Sequence, residues 1–322
     1  MTQSRRRGIQ QRMTSTELAP KVELTDAEAW EAFRSLPLDG ADLYTSLREH
    51  LSTSGFFVHD GDTLEVGAGD GFLWDGDGVA LIHRALARGR LVLTDSDPGC
   101  VRTCRDRIRR DHPAVVAEEA DAARLAYPSA SFARVLAIHV LHWCDSTESI
   151  RSAVAQLARV MRPDARALVV TVDATVHMAE IYALMQDAKA RLEARGVRLD
   201  AEIPERPPRI GRFCTDNAAS YLHASFGDVR AITMEYAHRV VGVHPHLPIA
   251  GEDLVVRYVE SAPFLRAAEV DRAALEAFLG EIRNAVAASI RVSGAFRVSR
   301  CDVLYECRSP RLPSPDAVPQ TR

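Results

Sequence analysis

The stretch from Thr63 to Leu73, "TLEVGAGDGFL", decides the fold: an apolar run holding one carboxylate, Glu65, passes into glycines at alternate positions, Gly67, Gly69 and Gly71. The run has the composition of a strand, and the glycines mark a tight turn, because glycine enters left-handed backbone without steric cost. A turn that holds a dinucleotide pyrophosphate reads G-x-G-x-x-G, its third glycine letting the following helix pack closely on its strand. Here the third position is Phe72, so that pattern fails and G-x-G-x-G stands in its place. The same residue disfavours a nicotinamide or flavin oxidoreductase.

Outward from the turn, apolar runs alternate with segments of helical length. "DTLEVGAG", "RLVLTDSD", "AVVAEEAD", "ARVLAIHVLH" and "ARALVVTVD" are expected strands, which implies βαβ units, a mainly parallel sheet and right-handed crossovers. Upstream, "TDAEAWEAFRSLP" opens with Thr25 and has Glu28 three residues later, a capping box that predicts a helix start, and "GADLYTSLREHLSTSG" predicts a second helix. After about residue 174 the rhythm changes to a long helix, "VHMAEIYALMQDAKARLEARG", and an irregular proline-rich link, "IPERPPRIGRF". A helix capped by Thr215, a strand "DVRAITMEYAHRVV", two further helices ("GEDLVVRYVESAPFLRA" and "DRAALEAFLGEIRNAVAASIRVSG") and a last strand "AFRVSRCDVLYECR" complete the expectation. The organisation expected is a flexible tail over 1–22, N-terminal lid helices over 23–60, a core over 61–175, helical lid segments with the last two strands over 176–308, and a second flexible tail over 309–322.

Composition bounds the function. Of 322 residues, 47% are hydrophobic and 26% charged, near the soluble globular average, and no run approaches the ~18 apolar residues of a membrane span. The N-terminus is basic but lacks the apolar centre of a secretory signal, so a cytoplasmic protein without a membrane partner is expected. The six cysteines form no CxxC pair, and a structural zinc site is not expected; His244 and His246 in "HPHLP" are too few to hold a metal and read as a surface loop. A net charge of −4 argues against a broad nucleic-acid footprint, although "SRRR" at 4–7 could touch phosphate locally. A monomer or homodimer is the expected assembly.

The order of four further motifs resembles the class I S-adenosylmethionine-dependent methyltransferases. Glu65 and the three glycines match the family's first motif; "LVLTDSDPG" puts Asp95 where the family has an acidic residue that accepts both ribose hydroxyls; "EEADAARLAYPSASFARV" resembles the stretch that reads the adenine; "VLAIHVLHW" resembles the strand beside the sulfonium; and "RVMRPDARALVVTV" matches the approach to the next strand. The resemblance covers residues 60–175 well and the rest, to about 308, more loosely. It implies a Rossmann-like, doubly wound α/β fold with a mainly parallel seven-stranded sheet and an antiparallel last strand, plus N-terminal helices and a helical lid. It also implies S-adenosyl-L-methionine as cofactor, held by Glu65, Gly67, Ala68, Gly69, Gly71, Asp95, Ser96, Asp121, Ala122, Ile138 and His139. Ile138 stands where many relatives have Asn and implies a drier methyl-transfer surface.

The implied chemistry needs a nucleophile aligned with the carbon–sulfur bond and shielded from water, hence a lid and a closed pocket. Trp30, Tyr44, His142 and Trp143 are the candidate pocket residues. Where the acceptor carries a proton a histidine base helps, and His142, leaving the end of the fourth core strand, is the candidate. The expected reaction is in-line transfer of a methyl group to an O, N or C atom of a small molecule, with a place in bacterial specialised metabolism. Two alternatives stand beside it: an RNA or protein acceptor, and a cofactor-binding protein with other chemistry.

Overall fold

The computed structural model describes residues 25–206 and 209–311; the expected tail over 1–22 and residues 312–322 of that expected over 309–322 lie outside the described residues, while Ser309 and Pro310 belong to the last strand rather than to a tail. The chain enters through α1 (Asp26–Arg34), a two-residue strand β1 (Leu38–Asp39) and α2 (Leu43–Thr53). The capping box forms as expected: Glu28 N–H donates to Thr25 Oγ1 at 3.3 Å, and Thr25 N–H donates to Glu28 Oε2 at 2.7 Å. Asp42 caps α2 by accepting from Thr45 N–H at 2.6 Å.

The core then alternates strands and helices, as the apolar runs require: β2 (Asp62–Val66), α3 (Val79–Leu86), β3 (Leu91–Asp95), α4 (Pro98–Ile108), β4 (Val116–Glu119), β5 (Phe132–Ile138), α5 (Thr147–Val160) and β6 (Met161–Val172). Beyond it come α6 (Ala179–Ala194), α7 (Ala218–Ser225), β7 (Phe226–Val240), α8 (Gly251–Glu260), α9 (Pro263–Ala267), α10 (Arg272–Ser293) and β8 (Phe296–Pro310). The sheet order is β1-β7-β8-β6-β5-β2-β3-β4, parallel from β4 through β6, with β8 antiparallel to both its neighbours. The seven expected strands are β2 to β8. The eighth, β1, is an addition on the outer edge of β7, made where Leu38 and Asp39 pair with His238 and Ala237.

Both faces of the sheet are covered. One carries α5 and α7, packed on Leu64, Val135, Val169 and Val303; the other carries α2, α3 and α4, packed on Leu93, Leu136, Leu168 and Leu304. A separate apolar cluster joins α1, α6, α8, α9 and α10 into a cap that reaches the sheet through Val240 and Val298. All seven residues of β5 are buried, as a central strand covered on both faces demands. Sheet order reverses between β2 and β5, and an open α/β sheet forms its ligand crevice at the carboxyl ends of strands at such a point.

Three local expectations are corrected. Thr215 does not cap α7; Asn217 precedes it, its side chain holding a turn by accepting from Cys214 N–H and donating to Gly211 O, while Thr215 Oγ1 donates to Asp173. The single helix expected over 251–267 is two, broken before Pro263, which lacks an N–H and disfavours helical backbone at the residue before it. His244 is not on a surface loop: it is buried, with Nε2 2.9 Å from Ala32 O, and ties the segment after β7 to α1.

Candidate active site

The turn after β2 is left-handed at all three glycines, with φ of +70° at Gly67, +57° at Gly69 and +81° at Gly71. Their surroundings differ. A Cβ on Gly67 would lie 2.2 Å from Val140 Cγ2, and one on Gly71 3.0 Å from Cys104 Sγ, so those two positions are small because the protein packs against them. A Cβ on Gly69 would meet no protein atom within 4 Å. Its backbone N–H donates to Asp95 Oδ2 at 2.9 Å, and Asp97 N–H donates to the other oxygen, Oδ1, also at 2.9 Å. Each oxygen keeps accepting capacity for a further donor.

Glu65 lies beneath the turn, buried, and Trp74 Nε1–H donates to its Oε2. Burial pushes its carboxyl up to about 7 against the opposing pull of that bond, and the Asp95 charge adds to the rise. Trp74, which no motif flagged, is thus the residue that fixes Glu65. Ala68 N–H donates to Thr94 O at 2.8 Å, binding the turn to β3. Ser96 is exposed just past β3. Asp121 is exposed after β4, accepting from Ala123 N–H at 2.8 Å and meeting Arg124 at 3.3 Å, with Ala122 buried beside it. Ile138 packs into the apolar layer under α2 to α4 rather than into an open surface.

A cavity of about 510 Å³ opens between the sheet and the cap, lined by Phe72 just after the turn, by Tyr44, and by His139, His142 and Trp143. The Tyr44 and Phe72 rings meet edge-on at 4.7 Å, and the Arg34 guanidinium stands 4.5 Å over Phe72. Trp143 is largely exposed, covered on one face by Arg209 at 4.5 Å. Of the four expected pocket residues, Tyr44, His142 and Trp143 line this cavity; Trp30 stands in α1, and its side chain lies outside the described residues. Phe33, another aromatic of α1, is core, packed against the rings of His238 and Tyr258.

Another wall of the cavity comes from β7 and β8, where Tyr236, His238 and Arg300 line it. Tyr236 and Arg300 are register partners and Asp302 follows two residues on, so period-2 alternation puts all three on one face. Asp302 is fully buried, and its Oδ1 lies 3.0 Å from His139 Nε2. The ring N–H points off the line to that oxygen, so the two groups meet in a close, bent contact rather than a straight hydrogen bond. Burial raises the Asp302 carboxyl, but His139, Arg300 and His177 outweigh it and hold it at about 2. Burial instead drives His142 down to about 3, helped by His139 and Arg209, and His238 to about 4. His139 has φ of +51°, and its N–H donates to Val170 O at 3.0 Å, which fixes a left-handed corner at the end of β5. Asp302 and Arg300 escaped the sequence reading; the available signal was two charges at alternate positions of a strand otherwise apolar enough to be central.

Residues 64–169, the segment from β2 into β6, match the family described as "Methyltransferase domain". No curated protein matches the sequence. Similar solved structures include a Bacillus halodurans protein assigned as a methyltransferase (13% identity, TM-score 0.49, covering 83% of this chain and 100% of that one). A second is the YcgJ protein of Bacillus subtilis (14%, TM-score 0.46, 77% and 92%). A third is a Haemonchus contortus phosphoethanolamine N-methyltransferase in complex with S-adenosylhomocysteine (11%, TM-score 0.41, 81% and 52%). The family match lies over the β2–β6 sheet and its glycine turn, so the segment from β2 into β6 is a methyltransferase domain.

Proposed function

We propose that the protein transfers a methyl group from S-adenosylmethionine to a small molecule held in the cavity beside the glycine turn. The observation that carries the reading is the open space over Gly69, where an added Cβ would meet no protein atom within 4 Å, beside the Asp95 carboxylate that accepts from the Gly69 N–H. Such a cradle fits a nucleoside: the backbone can be approached closely at Gly69, and Asp95 can accept from vicinal hydroxyls while repelling a 2′-phosphate. Asp121 and Ala122 stand where an adenine would end, and Glu65 shapes the floor under the methionine portion. When bound, the cofactor supplies a methyl already activated on a positively charged sulfur.

The chain's contribution is position and exclusion of water. A volume of about 510 Å³ falls within the range of small-molecule sites, and the cap helices close it on the side away from the sheet. Aromatic side chains line much of it, and Arg34, Arg209 and Arg300 face it against one lining carboxylate, Asp42. That lining suits an aryl acceptor with electron-rich oxygens better than a cationic amine. The reading extends to the cytoplasm of a bacterium and to specialised metabolism, supported by a pocket scaled for an aromatic scaffold and by cysteines that stay unpaired. No described helix is long and apolar enough to cross a membrane.

Calorimetry with S-adenosylmethionine, S-adenosylhomocysteine and NADH tests the reading. Binding of the two sulfur compounds without NADH is the expected result, and NADH binding with no response to either sulfur compound would overturn it.

A further inference from the structure

Two histidines at the end of β5 face the cavity, and their surroundings differ. His142 has no carboxylate among its partners; its neighbours are the rings of His139 and Trp143 at 6.1 and 5.7 Å and the charge of Arg209. A neutral imidazole so reluctant to take a proton is a weak base. His139 instead has its Nε2 buried against Asp302, a carboxylate with no exposure of its own, while the ring itself lines the cavity.

We propose that His139, oriented and charge-supported by Asp302, is the general base of the transfer and that the acceptor is an aryl hydroxyl. The inference rests on the methyl-transfer reading. With Nε2 placed against Asp302 and carrying the ring proton, Nδ1 is the nitrogen left with a lone pair. The acceptor oxygen forms its bond to the methyl carbon as the carbon–sulfur bond breaks, its electrons going to sulfur. The hydroxyl proton passes to His139 Nδ1, the imidazolium formed is balanced by Asp302, and the proton then leaves to solvent. A tertiary amine has no proton to give, so a carboxylate-backed base would serve no purpose for it. The aromatic walls contributed by Tyr44, Phe72, Tyr236 and Phe264 suit a ring that carries the hydroxyl.

The charge balance at His139 is set from several elements. Asp302 and Arg300 reach it from β8, Tyr236 from β7, His177 from the segment after β6, and His142 from its own strand end, with Arg209 beyond. Asp302 is the one carboxylate in that set. Its placement is costly to arrange in a buried strand, and His139 beside it sits in left-handed backbone, a strained conformation that the surrounding structure must offset.

The test reads the protein itself before it reads turnover. Long-range ¹H–¹⁵N spectra of histidine-labelled protein, with His139 assigned from His139→Gln, are expected to give the Nε2–H tautomer in the wild type and a mixture in Asp302→Asn. An Nδ1–H tautomer, or one indifferent to Asp302→Asn, would overturn the proposal. With 2-naphthol as probe acceptor, His139→Gln is expected to lower methylation by about a hundredfold, and Asp302→Asn by about tenfold with an altered acid limb of the pH profile. S-adenosylhomocysteine affinity in Asp302→Asn should stay within about threefold of wild type. Methylation of N,N-dimethyl-1-naphthylamine in preference to 2-naphthol, with S-adenosylhomocysteine bound normally, would sink the base and leave methyl transfer standing. Absence of S-adenosylhomocysteine binding in the wild type would instead sink the methyl-transfer reading beneath it.

Discussion

The two halves of the cavity region are built by opposite rules. The glycine-turn half is local: Glu65, Gly69 and Trp74 lie within ten residues, and Asp95 arrives from the adjacent parallel strand. The other half is assembled from afar, with Arg34 and Tyr44 from the first helices, His139 and His142 from the segment just after β5, and Tyr236, His238 and Arg300 from strands more than ninety residues further on. A site that must hold one invariant cofactor can be written in one turn, whereas a site shaped to a particular acceptor takes its walls from whatever elements close over it.

Substitutions can break that division or sharpen it. Gly69→Val is expected to have the largest effect: its side chain would occupy the open cradle and strain a left-handed residue, reducing S-adenosylhomocysteine affinity beyond calorimetric detection while the circular dichroism spectrum stays native. Glu65→Gln tests the floor of the same half. The folded carboxyl lies at about 7, above its ordinary 4.5, so between those values the native state holds a proton that the unfolded chain has lost. Wild-type stability should therefore fall as pH rises from about 4.5 to 7, by roughly 3 kcal/mol at most, and urea unfolding of Glu65→Gln should lack that fall. Asp95→Ala should weaken S-adenosylhomocysteine binding by about 2 kcal/mol, the scale of a hydrogen bond to a charged group, with fold intact.

From the acceptor half, His142→Ala is expected to lower 2-naphthol methylation by about tenfold while leaving S-adenosylhomocysteine affinity within about twofold. A loss of cofactor affinity there as large as in Asp95→Ala would erase the division between the halves. Thr25→Ala is the smallest change, costing about 1 kcal/mol of stability through the lost cap of α1, read as a shift in thermal midpoint with cofactor affinity unaltered.

That division also explains what the sequence disclosed. The strand run, the left-handed turn and Asp95 are legible because each depends on neighbours in the chain or on backbone geometry that only glycine satisfies easily. The parallel core follows from apolar runs separated by helix-length segments. What stayed hidden depends on register. Asp302 becomes a neighbour of His139 only once β8 pairs antiparallel with β6, setting Asp302 opposite Val172, and no spacing within the chain encodes that alignment. Likewise β1 exists because an edge of β7 was left unpaired, and two residues of ordinary composition filled it. Gly67 and Gly69 look alike in sequence, and only the packing of Val140 separates a glycine the protein packs against from one with open space over it.

The position of β8 has a further consequence for how the protein comes into being. Among the described residues every other strand precedes it in the chain, yet it inserts between β6 and β7, pairing with β7 along nearly its whole length. Until it arrives, β6 carries an open edge and β7 has no partner on its inner side, so a nascent chain exposes two strands primed for wrong pairing. The parallel half can close on itself early, but the acceptor cavity cannot exist before the last strand docks. Maturation is thus ordered, with the glycine turn formed first and the cavity beside it only once β8 has been made and docked.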